Sequence, residues 1–224
     1  MSVLLDYLTE ADFGGATTAA ISEPVSLDQV LAHLRIDEDA GDSAFLESVV
    51  IPAARQLAEE RSGSVIKPAR YQQTLSEFPR SGGSSLAPFT RSSNSLPIKF
   101  ARGLIESVES VSYIDISGVN KSLDVSKLSI VKIDQANVQL CPNAGGDWPQ
   151  TANVSNAVTI TYLAGMLPEK FATQFPSVIH WILLACGWAY ENREMFLTGK
   201  GTAIEIPAGY ADSLLKPITI STRF

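Results

Sequence analysis

The chain has 224 residues, 45% of them hydrophobic and 18% charged, with a formal net charge of -7. That is enough apolar material for one elaborated domain or two small ones without covalent staples. The acidic balance disfavours strong duplex binding, which needs clustered Lys and Arg to neutralise phosphates.

The charge is uneven. Residues 1–60 hold twelve Asp and Glu against Arg35 and Arg55, and residues 67–102 hold six Lys and Arg (Lys67, Arg70, Arg80, Arg91, Lys99, Arg102) against Glu77. Either this is ordinary solvated charge, or copies associate acidic side to basic side, a heterologous contact that can close into a ring. Cys141 and Cys186 have no CxxC or metal-ligand spacing and read as a turn thiol and a core thiol.

In chain order, MSVLLDYLTEADF has no basic n-region and turns acidic within six positions, so it does not read as a signal peptide, and a protein kept on the cytoplasmic side is expected. Residues 1–21, ending in small polar residues, read as a flexible arm. Ser26 with Gln29 is a capping box that opens a helix over 27–35, with Leu27, Val30, Leu31 and Leu34 at helical spacing. His33, between these positions, reads as a surface or half-buried helix histidine. The acidic run Asp37–Asp42 fails the calcium-loop pattern, because Gly at its sixth position and Glu at its twelfth are missing; its acids suit the positive end of the next helix. That helix is predicted over 43–61, with an apolar stripe of Phe45, Leu46, Val49, Val50, Ala53, Ala54, Leu57 and Ala58, a stop at Gly63 and a kink at Pro52.

From Val65 the periodicity shortens to two. Strands are predicted over 65–76, 96–98, 103–116, 123–133, 137–140 and 154–163, with a turn at 117–120. Residues 80–94, rich in Gly and Ser, read as a long mobile loop without a phosphate-cradle pattern. After a short turn of helix at 169–173, residues Phe175–Leu197 give the strongest helix signal in the chain. Only His180 and Gly187 interrupt the apolar run from Val178 to Tyr190. A helix with no polar face needs cover on nearly all sides, and this run falls short of the roughly 20 apolar residues that cross a bilayer. The tail 199–224 contains a further short helical turn at Ala211–Leu215 and reads as a docking segment.

The expected fold is therefore α+β: a small helical bundle (22–64 and 166–198) interrupted by a mostly antiparallel β insertion (65–165), with an extended C-terminal tail.

The segment Pro24–Asp37, the helix of VVIPAARQLAEERSG, the β run ending in AVTITYLAG with Pro168-Glu169, and the final helix closing in YENRE before a Leu-Leu-Lys-Pro tail resemble the phage head-tail connector proteins, neck adaptors found also in prophages and gene transfer agents. The resemblance covers roughly residues 24–217; the Ser-rich loop, Pro52 and the ITISTRF ending depart from it. It implies a structural virion protein, assembled in the host bacterial cytoplasm and located in the virion neck, forming a ring of about a dozen copies. Such a ring lies beneath the portal, meets a tail-side neck or tail completion protein, and passes DNA without sequence-specific binding. An acidic channel suits release of a genome. The chain's own N-terminal helix pair is expected to cover the apolar helix within one bundle, and in that setting a neighbouring subunit's N-terminal helices would be its second cover. The seam would carry Trp181, Leu184, Trp188, Glu191 and Arg193, and the portal-docking tail Leu214, Leu215, Pro217, Ile218 and Phe224.

Two other classes compete. For an enzyme, Glu191 with Glu194, or His180 with a distant Asp, is no adequate site, and GxSxG, HExxH and paired His and Cys are missing; no catalytic, cofactor or metal residues are assigned. A monomeric protein- or carbohydrate-binding module on the β part would use aromatics such as Trp148 and Phe89, but leaves the apolar helix without a use.

Overall fold

The computed structural model describes residues 2–8, 21–36, 41–80, 95–192 and 208–220. The chain is α+β, with antiparallel sheet and helices segregated into two compact units. Residues 1–8, 68–165 and 220–224 form the sheet unit, and residues 9–67 and 166–219 form the helical unit.

In the sheet unit, β1 (Ser2–Tyr7), β2 (Ala69–Leu75), β8 (Val158–Ala164), β4 (Ile105–Ile114) and β5 (Asn120–Leu123) lie side by side in that order, all antiparallel. A second sheet has the order β3 (Ile98–Lys99), β7 (Val138–Pro142), β6 (Leu128–Lys132). The central strand β8 is the most regular in sequence, and Val158, Ile160 and Tyr162 alternate onto the buried face. Tyr162 stacks on its cross-strand partner Tyr71 and meets Phe100 edge-on at 4.9 Å between ring centroids. Buried Gln73 is satisfied at both ends: its amide donates to the Lys99 carbonyl and accepts from the Ala101 N–H.

Several sequence expectations change here. Residues 2–7, placed in the flexible arm, form the edge strand β1, whose backbone pairs with β2. The run 123–133 is two strands, because Asp124 caps a turn of 3-10 helix at Val125–Lys127. The first long strand starts at Ala69 and not at Val65, because the N–H groups of Ile66 and Lys67 bond the Glu59 carboxylate instead of a neighbouring strand. Cys141 lies on β7 and not in a turn.

Trp148 is buried, stacked parallel on Phe78 at 4.8 Å, with its indole N–H donating to the Leu96 carbonyl. It is a core residue of the sheet unit, so the ligand-binding platform suggested for it has no exposed aromatic face; Phe89 lies outside the described residues.

In the helical unit, α1 (Leu27–Leu34) begins at Ser26 with both arms of the capping box made and ends at Arg35 in the left-handed conformation. The next stretch is not one kinked helix. It runs as α2 (Ser43–Phe45), a π-helical segment (Leu46–Val50) and α3 (Ile51–Ser62). The wider turn lets the Ile51 N–H bond the carbonyl five residues back, at Leu46. Pro52 thus stands in the first turn of α3, where a missing N–H costs little.

After α4 (Pro168–Gln174), helix α5 (Pro176–Glu191) buries Val178, Trp181, Ile182 and Cys186 against this chain's own α1, α3 and α6 (Ala208–Leu215). These N-terminal helices are the ones that the sequence placed in one bundle with the long helix. Past Asn192, the remainder of the predicted 175–197 helix lies outside the described residues.

Two predictions arise from α5. Gly187 lies where α1 passes, yet a Cβ there would sit 3.6 Å from Leu34 Cδ2, ordinary van der Waals contact. Gly187→Ala should therefore raise stability by about 0.5–1 kcal/mol through helix propensity, seen as a higher urea midpoint. Burial pushes the Cys186 thiol up to about 12, so it stays protonated and unreactive at neutral pH. A chromogenic thiol reagent should titrate half-buried Cys141 in the native protein and reach Cys186 only on unfolding; rapid labelling of both would show that α5 opens locally.

Candidate subunit interface

Helix α3 is fixed by a buried ionic cluster that sequence periodicity does not reveal. Arg55, with a side chain only 4% exposed, donates from Nε to Glu23 at 2.7 Å and from Nη1 to Glu59 at 2.6 Å. Lys67 Nζ reaches the second oxygen of Glu23 at 3.2 Å, and Glu59 Oε1 accepts from the backbone N–H groups of Ile66 and Lys67. Burial pushes the Glu59 carboxyl above the usual carboxylate range, and Arg55 and the two N–H groups pull it partly back. The cluster ties α3 to the segment before α1 and to the residues that follow α3. The only signal for it in the sequence is the pair Arg55 and Glu59, one turn apart.

With α3 held, its other face and α5 leave an apolar stripe open. Val49 is 50% exposed, Leu57 41% and Trp188 54%, with exposed Ala53 between the first two. Leu184, Ala185 and Ala189 are half-buried beside Trp188. A groove of about 590 Å³ runs between α3 and α5, floored by Val50, Ala54 and Trp181 and walled by Leu57, Leu184 and Trp188. At one end Arg61 stacks over the Trp181 ring at 5.8 Å and pairs with Asp212 of α6. The most apolar helix of the chain is thus covered on one side and open along a line spaced three and four residues apart.

The structure brings some of the expected seam residues together and separates others. Leu184 and Trp188 lie on the open stripe, and Glu191 is exposed one turn beyond Trp188. Trp181 is only 5% exposed and forms the floor, so it serves the core of the helical unit. Arg193 lies outside the described residues. Phe45, Val49, Ala53 and Leu57 were read as part of one apolar stripe; eight apolar positions are more than a single buried face of that helix holds, and these four are the surplus.

The tail residues divide in the same way. Leu215 is 3% exposed and Ile218 fully buried, and the Ser64 hydroxyl donates to the Ile218 carbonyl. Helix α6 and the 3-10 turn Lys216–Ile218 are therefore clamped to their own unit, which removes Leu215 and Ile218 from any docking surface in this conformation. Leu214 is half-buried and Pro217 exposed, and Phe224 lies outside the described residues.

The basic segment 67–102 is also less free than its composition implies. Lys67 pairs with Glu23, Arg70 with Glu109 at 2.8 Å, and Arg80 donates to the Trp148 carbonyl. His33 and His180 are exposed, and no group of three or more potential metal ligands occurs among the described residues.

No family model matches the sequence, and no curated protein does. Solved structures do share its fold. One is a chain of the virion of a native gene transfer agent particle, with TM-score 0.61 and 15% identity over 99% of this chain and 96% of that one. Another is a chain of the neck of the empty particle computed with C6 symmetry, with TM-score 0.60 and 16% identity over 99% and 96%. A third is a chain of the neck of the native particle computed with C12 symmetry, with TM-score 0.52 and 15% identity over 91% and 97%. At this identity the likeness is one of fold, and it runs through both the sheet and the helical unit.

Proposed function

We propose that this chain is a structural, non-enzymatic neck protein, a head-tail connector that forms a ring beneath the portal and links the DNA-filled capsid to the tail. The observation that carries this reading is a fold shared from end to end with chains of neck assemblies that have C6 and C12 symmetry. The open apolar stripe gives the same reading a physical surface, because a line of exposed Val, Leu and Trp on an otherwise well-packed bundle is the usual mark of an association face.

In this role Leu184, Trp188 and Glu191 contribute to the seam between copies, and Leu214 and Pro217 are the described tail residues left to meet the portal. The protein assembles in the host bacterial cytoplasm and resides in the virion neck, with a tail-side neck or tail completion protein on its other face. DNA passes through the ring without sequence-specific contact. The helical unit holds sixteen acidic and eight basic residues, and a surface of that sign does not retain phosphates.

Light scattering with negative-stain imaging over a concentration series, on the chain alone and mixed with its portal, tests the proposal. The expected result is a closed ring of about a dozen copies with a channel of at least about 20 Å. A chain that stays monomeric and forms no complex with the portal would overturn it in favour of a binding module.

A further inference from the structure

We infer that the π-helical segment Leu46–Val50 is a register device: its wide turn takes up one extra residue and so keeps two apolar lines, one buried and one open, in phase from Phe45 to Ala58. Burial runs in fours along this stretch. Leu46, Val50, Ala54 and Ala58 are buried, and the residue before each of them, Phe45, Val49, Ala53 and Leu57, is exposed. In an uninterrupted α-helix a step of four residues overshoots a full turn by about 40°, so three such steps would wind each line about 120° around the axis. One extra residue in a turn takes back about 100° of that. Leu46 then stands as if one position further along, in line with Ile51, Ala54 and Ala58, all buried. Phe45 comes within about 20° of Leu57 by the same correction, so the open line on this helix is four residues long.

The other register shows what the wide turn avoids. Were this stretch one α-helix, the buried place two turns before Ala54 would fall to Glu47, which is now exposed, and Leu46 would rotate off the buried face. Pro52 fixes where the turn lies. A continuous helix would drive its ring against the Ser48 carbonyl four residues back, whereas the Ile51 N–H, bonded to the Leu46 carbonyl, closes the wide turn immediately before it.

Single-residue deletions in the full chain test this, in a Cys141→Ser background with Glu47→Cys as a phase reporter. Removing Ser48 keeps the Ile51 N–H on the same Leu46 carbonyl, then four residues back as in an α-helix, and leaves both lines where they are. Pro52→Ala accompanies the deletion, because the proline would otherwise sit inside a continuous helix. This chain should hold the parent's urea midpoint, and its thiol at position 47 should react at the parent's rate. Removing exposed Gln56 together with Pro52→Ala should instead lower the midpoint sharply, because it turns the residues before it by about 100° against Ala58 and Ser62. Equal midpoints for the two deletions, both kept or both lost, would overturn the inference. So would loss of reactivity at position 47 in the Ser48 deletion, since it would mean that the start of the helix had rotated inward.

Discussion

Arg55→Ala is expected to destabilise the helical unit by about 3–5 kcal/mol, because it strands two half-buried carboxylates without their shared, buried cation. Glu23 would keep only Lys67, and Glu59 would keep only backbone donors. Urea titration with a helical probe should show the loss as a lower midpoint at unchanged slope. An Arg55→Met variant, which restores volume but not charge, should remain nearly as destabilised; a midpoint within about 1 kcal/mol of wild type would mean that the pairing adds little. The same cluster gives a pH signature. Glu59 has a folded pKa above its unfolded value, so the folded state holds the proton more tightly. Its contribution is complete below the ordinary carboxyl pKa and is lost as pH rises through the folded value. Stability measured from pH 4 upward should decline more in the wild type than in Glu59→Gln, and parallel curves would refute the shift.

The second large effect separates the two tryptophans. Trp181→Ala should cost about 3–5 kcal/mol of folding stability, since it empties the floor of the α3–α5 groove and removes the ring beneath Arg61. Trp188→Ala should leave the folded monomer within about 0.5 kcal/mol of wild type, because more than half of that side chain faces solvent. It should instead weaken assembly by about 2–4 kcal/mol, as expected for an aromatic anchor buried on association. Thermal melts and sedimentation of the two variants read the effects independently. Rings of normal stability from Trp188→Ala would remove the stripe from the seam.

Seven residues apart on one helix, these two side chains also mark how far periodicity carries. The apolar character of α5 was plain in the sequence; which side stayed open was not, because that depends on α1 and α3 arriving from more than a hundred positions away. Local signals served best where the chemistry is local: the capping box at Ser26, the turn after Asp115 and the alternation of β8. They failed where a distant partner decides. β1 was hidden because six residues next to a polar run carry little strand signal without β2 beside them. The π turn before Pro52 resolves in geometry a conflict that the sequence showed only as a misplaced proline. Ile218 resembles a docking residue until Ser64 is found bonded to its carbonyl.

The helical unit is built from both ends of the chain, and this bears on its synthesis. Helices α1 to α3 emerge first, but α5, which buries their apolar face, begins 114 residues after the end of α3. At ribosomal speeds of about 5–20 residues per second, that face waits on the order of ten seconds for its partner. Apart from β1, the strands of the sheet unit emerge in the interval, the last of them complete before α4 begins. A slow-translating stretch placed between β8 and α5 would lengthen the exposure of Val30, Leu31 and Val50 and raise the share of nascent chains captured by chaperones.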